Sequence, residues 1–178
     1  MADPPVVTLR ARTEDDLDVL FRLASDLDTW EEREDAPPTA LSRQRFDARL
    51  SRAAADDGTE DAVSFVIDVD GRAVGGASLF AFDSLARHAE AGISLLADAR
   101  GRGIGTAALA QLVEFAFVRR NLRRVHLQVI ASNAVAIRCY EKAGFVVEGR
   151  LRQHAWVRGG YEDIVLMGIL RTDRTLPA

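Results

Sequence analysis

The sequence predicts an α/β (α+β) fold, a mixed, mostly antiparallel central sheet of about seven strands flanked by about four helices. Apolar runs with a period of two recur along the chain and are joined at several points by hairpin-type turns. Four other segments space their apolar residues as a helix does. No internal repeat and no linker interrupts the alternation, and 178 residues with 48% hydrophobic content suit a single core, so one domain over 1–178 is expected.

Val6 to Arg10 reads as the first strand, and Thr13 followed three residues later by Asp16 marks a helix start that runs through Leu17, Leu20, Phe21 and Ala24. Asp26 to Pro38 is rich in acids and ends in Pro-Pro, which makes it a surface loop or short helix. Thr39 to Ala55 carries Leu41, Phe46 and Leu50 at helical spacing and is closed by Asp56-Asp57-Gly58. From Val63 the period becomes two, and Asp70-Gly71 turns one strand into the next, which runs to Phe82. A further strand covers about His88 to Leu96. Gly103 to Arg119 is helical, Val125 to Ile130 is a strand, and Ala134 to Ala143 is a helix capped by Gly144. Phe145 opens a strand that continues irregularly to Val157, and Arg158-Gly159-Gly160 turns it into a last strand, Tyr161 to Leu170.

Charge and composition exclude several classes. The net charge of −4 argues against nucleic-acid binding, which needs a concentrated basic face. The charge is uneven: residues 1–61 carry −8 and the remainder +4, a division that suits a cationic ligand at one part and an anionic one at the other. One cysteine, Cys139, forms no internal bridge. The opening Met-Ala-Asp-Pro-Pro is no secretory leader, and no apolar run approaches the ~20 residues that span a bilayer. A cytoplasmic protein with no membrane role is the expectation. Three histidines and one cysteine form no zinc pattern, so no metal is expected.

The segment richest in chemistry is Ala99-Arg100-Gly101-Arg102-Gly103-Ile104-Gly105-Thr106, a strand-to-helix junction. Glycines let backbone N–H groups approach a ligand, the helix start leaves its first N–H groups unpaired, and the helix end acts as roughly +0.5 charge. Phosphate is the natural guest. A Walker loop would need Lys-Ser/Thr after the last glycine, where this chain has Thr106-Ala107. A dinucleotide fingerprint would lie in the first strand-helix unit with an acid about 20 residues on, where this chain has Arg119-Arg120-Asn121-Leu122.

Taken together, Arg100-x-x-Gly103-x-Gly105, the strand ending Gln128-Val129, and Asn133-Ala134-Val135-Ala136-Ile137-Arg138-Cys139-Tyr140-Glu141-Lys142-Ala143-Gly144-Phe145 resemble the GNAT acyltransferase superfamily, most strongly over about Glu90 to Val147. The tail from Glu148-Gly149-Arg150-Leu151 through Val157-Arg158-Gly159-Gly160-Tyr161-Glu162-Asp163 is similar to the branch holding spermidine N-acetyltransferases and ribosomal-protein N-terminal acetyltransferases. The resemblance implies acetyl-CoA as cosubstrate, its pyrophosphate on the backbone of Arg102, Gly103, Ile104, Gly105 and Thr106, with Arg100 nearby. It implies that the strand over Ile93, Leu95 and Leu96 splays from Val125–Val129 and bonds the pantetheine arm, and that Asn133 reaches the same arm. Asn133 is also a plain helix N-cap on the sequence alone. Spermidine-acetylating relatives carry acids on the strand corresponding to Val74 to Phe82, where this chain has Ser78 and Ala81.

Acetyl transfer from a thioester to an amine poses two proton problems. An ammonium of pKa ~10.4 must lose a proton, at a cost of ~4.6 kcal/mol at pH 7, and a departing thiolate of pKa ~8.5 benefits from a donor. Tyr140 suits the donor role by its place in the family pattern, and Cys139 reads as packing, so direct attack without an acyl-enzyme is expected. The base is Glu90 or Glu32, with Glu31, Glu34, His88 and His154 as further candidates. The leading reading is an acetyl-CoA-dependent N-acetyltransferase of a small primary amine, drawn in by the acidic stretch Asp28 to Asp35. The alternatives are acetylation of a protein N-terminus and an acyl-CoA-binding module without turnover. A homo-oligomer, most simply a dimer, is expected from the edge offered near Trp156 to Val165 and from the habit of relatives.

Overall fold

A computed structural model describes residues 5–28, 39–55 and 62–174. Seven strands form one sheet: β1 (Val7–Arg10), β2 (Ala62–Val69), β3 (Arg72–Asp83), β4 (His88–Leu95), β5 (Arg124–Ile130), β6 (Val146–Val157) and β7 (Gly160–Leu170). Their spatial order is β1-β2-β3-β4-β5-β7-β6, antiparallel at every contact except β4 with β5. Four α-helices are described, α1 (Leu17–Ser25), α2 (Arg43–Ala55), α3 (Ile104–Glu114) and α4 (Ala134–Lys142). The architecture matches the expected one.

Strand alternation sorts the chain into two faces. On one, Ala77, Leu79, Ala89, Ala91, Val125, Leu127, Val129, Val165, Met167 and Ile169 join Ile104, Ala108, Leu109, Leu112 and Val113 of α3 in the main core, and α4 packs onto it through Ile137, Cys139 and Tyr140. The other face carries Ser78, His88, Glu90, Gly92, Ser94, Arg124, His126 and Gln128. Leu20 of α1 approaches it over Gly76 of β3. At its far end Ile130, Ala155, Val157 and Ile164 make a small second apolar cluster.

One expectation needs adjustment. The helix expected to run from Gly103 to Arg119 ends as an α-helix at Glu114, and Phe115–Arg119 form a wider π turn in which the Arg120 N–H donates to the Phe115 carbonyl at 3.1 Å. The extra residue in that turn allows Phe117 to be fully buried while Phe115 packs edge-on against Phe65, with centroids 5.0 Å apart. The first helix starts where Thr13 and Asp16 mark it, with Thr13 as cap and a tight turn over Glu14–Asp16 leading into α1.

The reason lies in Asp16. Its carboxylate is buried and accepts from both Arg10 terminal nitrogens at 2.7 and 2.8 Å, from the Thr13 N–H and from the Thr13 hydroxyl, while Arg10 Nε donates to Asp68 of β2. One guanidinium thus ties β1, β2 and the start of α1 together. The Arg10 hydrogen bonds hold the Asp16 carboxyl well below the usual carboxylate range. The stabilisation is therefore complete above the unfolded pKa of ~3.9 and is lost as pH falls towards the folded value. Asp16→Asn is expected to lower stability at pH 7 by about 1–3 kcal/mol, because the buried carboxylate that accepts from Arg10 and Thr13 is lost while the partly exposed Arg10 keeps only Asp68, and to lose less on acidification than the parent chain. Denaturant unfolding of both proteins at pH 7 and pH 3.5 checks this. Equal stability at pH 7 would mean that the triad is idle.

Candidate active site

The parallel pair β4 and β5 is joined over three rungs only, His88 with Arg124, Ala89 with Val125 and Glu90 with His126. Beyond Glu90 the two strands keep their other partners, β4 pairing with β3 to Leu95 and β5 with β7 to Ile130. A wedge therefore opens between them, with its vertex at Glu90 and His126.

Backbone phase decides which groups face the wedge. The Leu96 N–H donates to Val74 on the β3 side at 2.9 Å, and antiparallel pairing alternates residue by residue, so Leu96, Ser94 and Gly92 turn their backbone groups to β3. Ala91, Ile93 and Leu95 turn theirs to the wedge. Ile93 and Leu95 thus have their side chains against the core and their backbone groups on the wedge side, where the Leu95 carbonyl accepts from Arg100 Nε. Leu96 does not face the wedge: its N–H is taken by Val74, and Ala91 presents the third edge position instead.

At the mouth of the wedge the loop from Arg100 to Gly103 leads into α3. Gly103 caps the helix with φ +79°, Gly101 has φ +73°, and a Cβ built on either would meet nothing within 4 Å. The first bond of the helix runs from the Ala107 N–H to the Gly103 carbonyl, so the N–H groups of Ile104, Gly105 and Thr106 precede it at the helix end. These backbone donors stand at a helix end with open space beside Gly101 and Gly103. The Ile104 side chain is fully buried, which leaves only its backbone for a ligand. Arg100 Nε donates to the Leu95 carbonyl at 3.1 Å and braces the loop against the strand end, while Arg102 is exposed.

Helix α4 flanks the same end. Asn133 caps it, its side-chain oxygen accepting from the Ala136 N–H at 3.1 Å, so the NH₂ group is the part of the amide that remains for a ligand. Cys139 Sγ lies 3.4 Å from Thr106 Oγ1, and a Cβ on Gly105 would come within 3.1 Å of that sulfur. Gly105 thus lets α3 and α4 touch, and Cys139 is the packing residue expected. Tyr140 follows it, packed on the core with its ring centroid 6.3 Å from that of Phe145. Burial, with a smaller contribution from Cys139, pushes its phenol above the ordinary tyrosine range. Seven helical residues place Asn133 and Tyr140 about 10 Å apart along the axis, so they flank successive stretches of the wedge.

The face opposite α3 and α4 is polar around the vertex. His126 Nε2 stands 3.9 Å from Glu90 Oε2, and the His88 and His126 rings meet edge to face with centroids 5.1 Å apart. His88 in turn is 3.8 Å from Asp83, and Arg124 pairs with Glu148 through both carboxylate oxygens. That ion pair lies over Gly168, where any Cβ would collide with it. Three buried side-chain atoms have no hydrogen-bond partner among the described residues, His88 Nδ1, Ser94 Oγ and His126 Nδ1. All belong to this face of β4 and β5, and such concentration marks a place for water or a ligand. Sequence reasoning passed over His126: alternation in β5 puts it beside Arg124 and Gln128, but its position opposite Glu90 depends on strand register.

Glu32, the other expected base, lies outside the described residues together with Glu31 and Glu34. His154 sits on β6, away from the vertex rungs. A cavity of about 180 Å³ adjoins the cap of α4, lined by Ile130, Ser132, Asn133, Ala134, Val135, Val157 and Arg158. A larger one of about 440 Å³ lies between the start of α1 and α2, remote from the cradle. Among the described residues no helix is long and apolar enough to cross a membrane, and no group of three His, Cys, Asp or Glu side chains is placed to hold a metal ion.

Residues 7–146 match the acetyltransferase (GNAT) domain family. Spermidine N(1)-acetyltransferase of Escherichia coli (strain K12) is 32% identical over 107 residues, 60% of this chain and 58% of the relative. YdaF of Bacillus subtilis (strain 168), whose name proposes a ribosomal N-acetyltransferase, is 33% identical over 104 residues, 58% of this chain and 57% of the relative. The matched stretch thus spans under two thirds of the length of these relatives. Spermidine N-acetyltransferase from Vibrio cholerae, solved in complex with CoA and spermine, shares the fold with a TM-score of 0.84 at 24% identity over 94% of this chain and 96% of that one.

Proposed function

Because the chain belongs to the acetyltransferase (GNAT) family, we propose that it transfers an acetyl group from acetyl-CoA to the primary amine of a small molecule, by direct attack and without an acyl-enzyme. The observation that carries this reading is the coincidence of an open β4 edge with a helix-end cradle at one end of one wedge. A diphosphate at the N–H groups of Arg102 to Thr106 gains hydrogen bonds and the favourable end of the α3 dipole. An extended amide-bearing arm then pairs with Ala91, Ile93 and Leu95 as an added strand would, and Asn133 serves the same arm from α4.

The wedge connects the two faces of the sheet, which divides the proton traffic. Tyr140, on the α4 side, supplies a hydroxyl to the leaving sulfur, and the amine arrives over the polar face and gives up its proton near Glu90. Relatives that match include one named for spermidine and one for ribosomal N-acetylation, and the crystallised neighbour is in complex with CoA and spermine, so small amines including polyamines are the first acceptors to test. Of the edge expected over Trp156 to Val165, the part in β7 lies between β5 and β6 and offers none; the exposed Val146, Val147 and Trp156 on the edge strand β6 support a homodimer. Incubation with acetyl-CoA and a panel of amines, amino acids and peptides, with thiol release and product mass measured together, tests the reading. We expect amine-dependent thiol release with a gain of about 42 Da on a small amine, the mass of the net C2H2O that an acetyl group adds in place of a hydrogen. Acetylation of peptide N-termini alone would replace the acceptor class, and thiol retention with tight CoA binding would reduce the protein to a binding module.

A further inference from the structure

Two carboxylates and two histidines converge on the vertex, and the chemistry of proton transfer chooses among them. We propose that His126 receives the proton the acceptor amine gives up, and that Glu90 holds the imidazolium that results. This inference rests on the acetyl-transfer reading and names its base.

Geometry supports it first. Glu90 and His126 form the last rung before the strands part, so they stand where a group reaching through the wedge meets the polar face. Their side chains keep 20% and 25% exposure, enough for contact with water or an amine. The separation of 3.9 Å exceeds a direct hydrogen bond, and a single water touching both atoms at ~2.8 Å fits between them. His126 Nδ1 is buried and Nε2 stands on the side of the Glu90 carboxylate, so receiving a proton from the bridging water at Nε2 requires the neutral ring to carry its own proton on Nδ1.

Acidity supports it second. An imidazole at its ordinary pKa of ~6.5 lies about two units nearer to an ammonium than an ordinary carboxylate of ~4.3, which favours proton transfer to it by at most roughly 100-fold, an advantage that burial of this ring reduces. The groups facing His126 are Arg124 on its own strand, His88 and Glu90 on β4 and Glu148 on β6; β7 contributes Gly168 and no charge. Burial first, then Arg124 and His88, hold its pKa below the ordinary value, so the ring is neutral and ready to accept at pH 7. The step balances: the ammonium gives its first proton through water to Nε2, which releases it to solvent. The amine nitrogen bonds the acetyl carbon as the carbon–sulfur bond breaks, the second nitrogen proton passes by the same water to Nε2, and the thiolate takes a proton from the Tyr140 hydroxyl. Solvent later returns a proton to Tyr140 and removes one from His126.

The test is the pH profile of kcat/KM from pH 5 to 9 for wild type, His126→Gln and Glu90→Gln, with acetyl-CoA Kd measured on each. The wild-type rate should rise through an acid limb below pH 6.5 and then level until the amine itself titrates. His126→Gln should lose that limb and fall roughly 100-fold at pH 7, recover in part towards pH 9 and keep its acetyl-CoA affinity, since general-base help is worth ~10²–10⁴-fold. Imidazole NMR of the wild type supplies a readout apart from turnover, with Nδ1 protonated in the neutral ring and a pKa that drops further in Glu90→Gln. An active wild type whose His126→Gln variant keeps both rate and acid limb overturns this inference alone. A wild type without turnover on any amine overturns it together with the reading beneath it, and a neutral ring protonated on Nε2 overturns it even if the variant fails to fold.

Discussion

Tyr140→Phe should lose turnover by ~10²–10⁴-fold while acetyl-CoA affinity changes by less than about threefold. The ring packs on the core beside Phe145, and phenylalanine keeps that packing. What disappears is a hydroxyl that burial holds protonated well beyond neutral pH. Charge gathers on the sulfur only as the thioester breaks, so the donor acts in the transition state and little in the bound ground state. Its own ionisation gives no descending limb below pH 10, because its pKa is raised and not lowered. Steady-state kcat and calorimetric Kd on the same preparation check the split. A kcat within about threefold of wild type would remove Tyr140 from the chemistry and leave it a core aromatic.

Gly103→Glu should weaken CoA binding by at least about 100-fold without unfolding the protein. The new side chain meets no atom within 4 Å, so nothing in the fold obstructs it. It does place a non-glycine residue at φ +79°, which costs about 1–2 kcal/mol and a few degrees of melting temperature at this chain length. The carboxylate then occupies the helix end that a diphosphate would use, satisfying the same N–H groups with the wrong anion. Gly103→Ala carries the backbone strain without the charge and should lose far less affinity. The contrast between the two variants separates distortion of the loop from competition for the cradle.

The elements most legible in the sequence were those fixed by local chemistry. Asp70 and Gly71 both adopt positive φ in the turn between β2 and β3, as the dipeptide implies, and Asn133 caps α4 through its side chain. The glycine loop and its helix end also follow from local rules, because no distant residue is needed to open Gly103 to solvent. Tyr140 was singled out by family pattern. Its placement against Phe145 follows from the tertiary packing of α4.

The rest depended on register and on partners far along the chain. The phase of β4 is set by pairing with β3, which is why Leu96 was expected on the wedge edge and Ala91 was not. The Glu90 and His126 rung joins residues 36 apart through a parallel pairing that no hairpin specifies. Asp16 looked like a helix cap and is one, yet its burial against Arg10 needs β1 and β2 side by side. The wide turn at Phe115 arises because two nearby aromatics seek different neighbours, a conflict that helical spacing alone does not show.

The central claim is that one wedge receives the donor, with its anionic end at α3. Backbone amide NMR during titration with CoA tests it most directly, on wild type and on Gly103→Glu. The account predicts that the amides of Ala91, Ile93, Leu95, Ile104, Gly105 and Thr106 shift together along one binding curve in the wild type and stay still in the variant. Shifts centred instead on the cavity between α1 and α2, near Leu17 and Leu50, with the wedge amides unmoved, would contradict it.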